Sequence, residues 1–233
     1  MHFQELQAQP VAHHKQLNPL LWDNHQLKTE IRDKLLEIAK HFIEFINIPN
    51  LDLTDITISG SNASYGYSKH SDIDLHLIAR MPKDHPDLKE LFNAKKNQYN
   101  NTYKIKIKDI PVELYVQDSA EPHHSAGIYS VQNDTWISKP KNLNPEVDPA
   151  EIKRKARSYA SKINQALRSN DLNTSKEAMA DIYRLRKAGL EDGGEFSVEN
   201  LAFKLLRSRG QIDKLRKRIE QLQSKALSLG ERQ

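Results

Sequence analysis

Gly60-Ser61-Asn62-Ala63-Ser64-Tyr65-Gly66-Tyr67-Ser68-Lys69-His70-Ser71-Asp72-Ile73-Asp74-Leu75 runs from a loop of glycine and hydroxyl residues into a segment that alternates acids with aliphatics. Ile56-Thr57-Ile58-Ser59 ahead of it and Ile73-Asp74-Leu75-His76-Leu77-Ile78 at its end have the content and period-two alternation of β-strands. The reading is strand, loop, strand. Side chains two apart on a strand share a face, so Asp72 and Asp74 project together while Ile73 and Leu75 enter the opposite layer.

Two carboxylates held side by side repel, and the arrangement normally persists only where a cation neutralises it or one carboxyl is protonated. Mg²⁺ suits the pattern, because it takes a few carboxylate oxygens and completes its shell with water and substrate phosphates. The loop supplies the phosphate half. Gly60 lets backbone approach a ligand closely, Ser61 offers a hydroxyl and an N–H, and the residues after them are expected to open a helix whose N-terminus favours anions. Ser71 and Lys69, just before the acids, are further candidates for phosphate contact. A third acid, Glu113, lies in the alternating segment Ile110-Pro111-Val112-Glu113-Leu114-Tyr115-Val116 and joins the first two if the strands are neighbours.

A Gly-Ser pair, ten intervening residues, Asp-Ile-Asp-Leu and a distant strand-borne acid together resemble the DNA polymerase β-like nucleotidyltransferase superfamily. Poly(A) polymerases, CCA-adding enzymes and aminoglycoside nucleotidyltransferases belong to it, and the resemblance covers about Ile56 to Val116. It implies transfer of a nucleoside monophosphate from an NTP such as ATP to a hydroxyl, with pyrophosphate leaving. Asp72, Asp74 and Glu113 would be the catalytic and metal-binding residues for two Mg²⁺ ions, or Mn²⁺ in their place. One ion would neutralise the triphosphate and the other activate the attacking hydroxyl, with Glu113 nearest the acceptor and able to take its proton. Gly60, Ser61, Ser71 and Lys69 form the implied nucleotide-binding set.

Charge bears on the acceptor. Residues up to Ala150 carry 16 Lys/Arg against 20 Asp/Glu, and those from Glu151 onward 19 against 11, a split of −4 and +8. A basic half beside an acidic metal-binding half suits a polyanion, most simply an RNA 3′ end, and equally describes ordinary solvated helix surfaces. The alternatives are a small-molecule hydroxyl of the aminoglycoside kind, a protein side chain, or an inactive nucleic-acid-binding module of the same fold.

Around this segment, Leu27, Ile31, Leu35, Ile38, Phe42 and Phe45 recur at helical spacing and predict one amphipathic helix from Asn24 to Ile46, capped by Asp23 or Asn24 and broken at Pro49-Asn50. A polar helix is expected over Pro86–Asn100, then a strand over Tyr103–Lys108 forming a hairpin with the Glu113 strand. Short strands at Gly127–Val131 and Thr135–Ser138 precede a linker of Pro140, Asn144, Pro145 and Pro149. Four helices follow, Ala150–Ser169, Asn173–Ala188, Ser197–Ser208 and Gln211–Leu229. The expected fold is α+β: a small mixed-sheet catalytic domain with flanking helices over 1–147, then a helical bundle over 148–233.

Some chemistry is excluded. With no cysteine, there is no disulfide, thiolate zinc site or cysteine nucleophile. No apolar run reaches transmembrane length, and Met1-His2-Phe3-Gln4-Glu5-Leu6-Gln7 lacks a secretory signal, so a cytoplasmic location away from membranes is expected. His13-His14 and His123-His124 lack the helical spacing of zinc ligands and read as surface histidines. His76 continues the face of Asp72 and Asp74, where it would contact substrate or orient a ligand. Tyr65 and Tyr67 either stack on a base or ribose or pack beneath the loop. Arg184, Arg186, Lys187, Lys204, Arg207 and Arg209 are candidates for phosphate contact from the helical half.

Overall fold

Two periodicities divide the chain. Alternating segments interspersed with two helices make up its first part and 3.6-residue patterns alone its second, and each builds a core of its own. The computed structural model describes residues 14–48, 51–81, 87–121, 125–142 and 147–228. The N-terminal segment 1–13, the break at Pro49-Asn50, the helix start at Pro86, the linker residues Asn144 and Pro145, His123, His124 and Leu229 lie outside these residues. The chain falls into two compact units, whose described parts are 14–142 and 147–228.

The first unit opens with a two-residue hairpin, β1 (Trp22–Asp23) and β2 (Gln26–Leu27), before α1 (Thr29–Ile46). The helix therefore starts five residues later than its periodicity suggests. Asn24 takes a left-handed turn at φ 54° instead of capping, and Lys28 is the N-cap without a side-chain bond. The cause is tertiary: Trp22 is buried, stacks on Trp136 at 4.8 Å and meets Tyr129 edge-on at 5.0 Å. Next come β3 (Leu53–Ser59), β4 (Ile73–Ala79), α2 (Asp87–Thr102), β5 (Lys106–Ile107), β6 (Ile110–Asp118), β7 (Ile128–Ser130) and β8 (Thr135–Ser138). They form a six-stranded sheet of order β5-β6-β4-β3-β7-β8, mixed because β4 and β6 run parallel while the other pairs are antiparallel. Parallel neighbours need a crossover, and α2 lies in the connection between them.

The expected strand Tyr103–Lys108 shrinks to β5. Tyr103 is drawn toward α1 and α2 instead, with its ring 4.7 Å from Tyr99 and 5.1 Å from His41. Beyond the reach of β5, Asn100 of α2 substitutes for a strand partner. Its Nδ2 donates to the Leu114 carbonyl at 3.0 Å and its Oδ1 accepts from the Leu114 N–H at 3.1 Å, satisfying backbone groups that an edge strand leaves open.

The second unit contains α3 (Pro149–Ser169), α4 (Leu172–Gly193), α5 (Val198–Ser208) and α6 (Gln211–Leu227). Asp148, Asp171 and Ser197 cap the first three, each side chain accepting a backbone N–H of the first turn. Gly189 does not end α4 as a C-terminal glycine would. A Cβ there would lie 2.6 Å from the Cβ of Glu199, so the glycine lets α5 pack close and the helix runs on to Gly193. Tyr159, Ile163, Leu201, Phe203, Leu206 and Leu215 fill the bundle core. Among the described residues no helix is long and apolar enough to cross a membrane.

Candidate active site

The period of β4 separates core from chemistry. Ile73, Leu75, Leu77 and Ala79 point into the core, whereas Asp72, Asp74 and His76 are only partly buried. Registers with the adjacent strands then gather the acids: Asp74 lies opposite Ser59 on β3 and opposite Glu113 on β6. Asp72, Asp74 and Glu113 each present one carboxylate oxygen, and these atoms all lie within 4.8 Å of one another. Among the described residues they form the one group of three or more acids and histidines spaced to hold a metal ion.

The loop lies against this cluster. Gly60 has φ 75°, and a Cβ on it would sit 2.1 Å from the Asp74 carboxylate oxygen Oδ2. Any other residue would therefore be strained and would strike an acid of the cluster. The Gly60 N–H donates to Ser125 Oγ at 3.0 Å, and Ser125 Oγ in turn donates to the Gly127 carbonyl at 3.1 Å. Ser61 Oγ donates to Ser71 Oγ at 2.8 Å, and Ser71 also accepts the Ser68 N–H at 2.9 Å. Where a helix is expected to open, only a single 3-10 turn forms, Ser61–Ala63. Lys69 is exposed at the loop tip.

Asn62 anchors the loop from beneath and is 2% exposed. Its Nδ2 donates to the Asp72 carbonyl at 2.8 Å, its Oδ1 accepts from Asn18 Nδ2 at 2.8 Å, and its own carbonyl accepts from Trp22 Nε1 at 2.8 Å. Residues far ahead in the chain thus fix the backbone that carries the first acid. The tyrosines pack rather than point outward: Tyr65 is buried with its hydroxyl 3.0 Å from His25 Nε2, and Tyr67 stacks on His14 at 3.8 Å.

A second layer supports Glu113. Tyr115 OH donates to Glu113 Oε2 at 2.7 Å, and its ring stacks on His76 at 4.9 Å with 18° between planes. His76 Nε2 is 3.2 Å from Ser59 Oγ, and Lys96 Nζ lies 4.8 Å over the Tyr115 ring. Burial first, then the fields of Asp74 and Glu113, the bond to Glu113 and the field of Asp72 push the Tyr115 hydroxyl far above the ordinary phenol range. It remains a neutral donor. An open cleft of about 200 Å³ continues along this face past His76 and Tyr115 to Asn93, Gln117 and Glu121.

The sequence sets Asp72, Asp74 and His76 on one face, the β4–β6 register adds Glu113, and no reading of the sequence singles out Tyr115, Asn62 or Ser125. The signal for Tyr115 was available, since it follows Glu113 by two on a strand. Asn62 and Ser125 gain their roles only through distant partners. In the helical unit, three of the basic candidates are engaged locally. Arg184 pairs with Asp181 and Lys187 lies 3.9 Å from Glu191, while Arg186 Nε donates to Asn200 Oδ1 at 3.1 Å with its guanidinium 4.4 Å over the Phe203 ring.

The donor set fits a small hard cation. Three carboxylate oxygens within 4.8 Å of one another are the hard donors that Mg²⁺ takes at about 2.1 Å, and the set contains no soft ligand.

No family model matches the sequence, and no curated protein matches it. Two solved structures show a distant similarity to this chain. One is the STING-associated CdnE c-di-GMP synthase from Capnocytophaga granulosa, 13% identical over 85% of this chain and 84% of that one, with a TM-score of 0.24. The other is the CdnC:HORMA-deltaN complex of E. coli MS115-1, 17% identical over 79% of this chain and 61% of the matched chain, also at 0.24. At that level of superposition neither likeness carries the functional reading, which stands on the site.

Proposed function

We propose that this protein is a metal-dependent nucleotidyltransferase that moves a nucleoside monophosphate from an NTP to a hydroxyl acceptor, releasing pyrophosphate. The observation that carries the reading is the convergence of Asp72, Asp74 and Glu113 from two parallel strands directly beneath the Gly60 turn. Those three side chains would hold the divalent ions, Mg²⁺ or Mn²⁺. Bound there, such ions neutralise polyphosphate charge and lower the pKa of an attacking hydroxyl.

The protein's own groups do the rest. Gly60 and Ser61 receive the outer phosphates, and for the Gly60 N–H to take part the Ser125 hydroxyl has to give way. The Ser61–Ser71 hydroxyl pair lies on the same loop and can turn its protons toward an anion. Lys69, exposed in the same loop, offers a further cation for the same phosphates. Glu113 orients the acceptor hydroxyl and can take its proton. The +8 charge of the residues from Glu151 onward motivates a polyanionic acceptor, an RNA 3′ end. A second nucleoside triphosphate is another polyanionic acceptor that carries a free hydroxyl.

The test is pyrophosphate release from each of the four NTPs with Mg²⁺ or Mn²⁺, in parallel arms containing RNA, an aminoglycoside or NTP alone. Metal-dependent release that Asp74→Ala abolishes supports the reading, and the arm that yields labelled product names the acceptor. Absence of release in every arm, or equal release by the variant, refutes it.

A further inference from the structure

Glu113 shares one of its carboxylate oxygens with a neighbour in the sheet. Tyr115 OH donates to Oε2 at 2.7 Å, so one lone pair of that oxygen is taken from within the sheet and Oε1 is the less encumbered ligand for a cation. The donor is itself held rigidly. His76 stacks on the ring at 4.9 Å and 18°, Lys96 Nζ lies 4.8 Å over it, and the β4–β6 register sets His76 opposite Tyr115 one pleat beyond the Asp74–Glu113 pair. Engaging one carboxylate oxygen has a consequence for metal choice. Mg²⁺ and Mn²⁺ are served by single carboxylate oxygens in a tight octahedron, whereas Ca²⁺ takes more oxygens at longer range and readily uses both oxygens of one carboxylate.

We propose that Tyr115 is a positioning residue that restricts Glu113 to one-oxygen coordination and thereby biases the site toward small divalent ions and against Ca²⁺. The inference rests on the nucleotidyltransferase reading of the acid cluster and adds a selectivity device to it. The hydroxyl alone does the restricting, and the ring and its stack on His76 hold the hydroxyl in place. An aligned outer partner of this kind also preorganises its ligand, and removing it commonly weakens metal binding by about ten- to a hundredfold.

The experiment measures Mg²⁺, Mn²⁺ and Ca²⁺ affinity by calorimetry on the full chain, without turnover, for wild type and Tyr115→Phe, with folding checked by circular dichroism. The phenylalanine keeps the ring and removes only the hydrogen bond. Expected is a loss of Mg²⁺ affinity of about tenfold or more, with Ca²⁺ affinity unchanged or raised, so that the Mg²⁺/Ca²⁺ ratio falls. A merely structural role would weaken all three ions together, and that result overturns the proposal, as does an unchanged ratio. Should Tyr115→Phe fail to fold, His76→Ala removes the stacking partner and leaves the hydroxyl. It is expected to lower the same ratio by a smaller factor, and an unchanged ratio there overturns the proposal too. If wild type binds none of the three ions, the nucleotidyltransferase reading fails and takes this inference with it. If wild type binds Mg²⁺ and the ratio does not move, only the inference fails.

Discussion

On one face of β4, Ile73, Leu75, Leu77 and Ala79 are at most 1% exposed and lie in the core, while on the other face Asp72, Asp74 and His76 stay partly open beside Glu113 and Tyr115. One strand thus carries two surfaces that answer to different physics. Apolar burial of about 1.5–3 kcal/mol per large side chain holds the first in place. The second gathers like charges, which works against stability. Stability and activity should therefore separate along a single strand, position by position.

The largest effect is expected from Asp74→Ala. Activity should fall by at least about a thousandfold, or about 4 kcal/mol of transition-state stabilisation, in a pyrophosphate-release assay, while the melting temperature stays level or rises as charge repulsion is relieved. Leu75→Ala, one residue along, should do the reverse. It is expected to cost about 2–5 kcal/mol of stability by denaturant titration, from the cavity left in the core, with the surviving folded fraction still active. Comparable behaviour of these two variants would erase the distinction between the faces.

Gly60→Ala probes the junction between the surfaces. Its Cβ would lie 2.1 Å from Asp74 Oδ2 on a residue at φ 75°, so about 1–3 kcal/mol of strain is expected together with displaced metal affinity, read by calorimetry. Asn62→Ala removes the buried link between the Asp72 carbonyl and Asn18. It should cost about 1–3 kcal/mol for the polar groups left unpaired, and a smaller loss in kcat than in stability would mark it as scaffold.

The smallest effect compares the two cores at high pH. Burial pushes both Tyr99 in the sheet unit and Tyr159 in the helical unit up to about 12 from 10.0. Because the folded state keeps these protons after the unfolded chain has released them, their stabilisation is complete below pH 10 and is lost as pH rises toward 12. Tyr99→Phe and Tyr159→Phe should each flatten that decline in a chemical-denaturation series over the same pH range.

Much of the site was legible because period two is a strong local signal. It set Asp72, Asp74 and His76 on one face and Ile73 and Leu75 on the other before any partner strand was known. Glu113 needed one more assumption, that its strand is a neighbour, and the β4–β6 register meets it. What sequence could not supply was tertiary. Helical periodicity pointed to a start at Asn24, but the stacking of Trp22 on Trp136 holds that stretch as a hairpin. The alternation of Tyr103–Lys108 promised a strand, and the aromatic cluster around Tyr99 drew its first half away. The expected helix Asn173–Ala188 stops just before Gly189, where local sequence favours an end, but that glycine lies against Glu199 and the helix continues to Gly193. Asn62 and Ser125 sit at positions where ordinary turns also place small polar residues, so nothing local distinguished them.

Chelation of divalent ions against a polyphosphate by the three acids at 72, 74 and 113 is the core of the proposed activity. Electron paramagnetic resonance of Mn²⁺ titrated into the full chain with a non-hydrolysable NTP analogue reads this in one step. Wild type should take up about two ions per chain, and the Asp72→Ala, Asp74→Ala, Glu113→Ala variant should take up none beyond what the free analogue binds. Equal uptake by the two proteins, or no uptake by wild type, would contradict it.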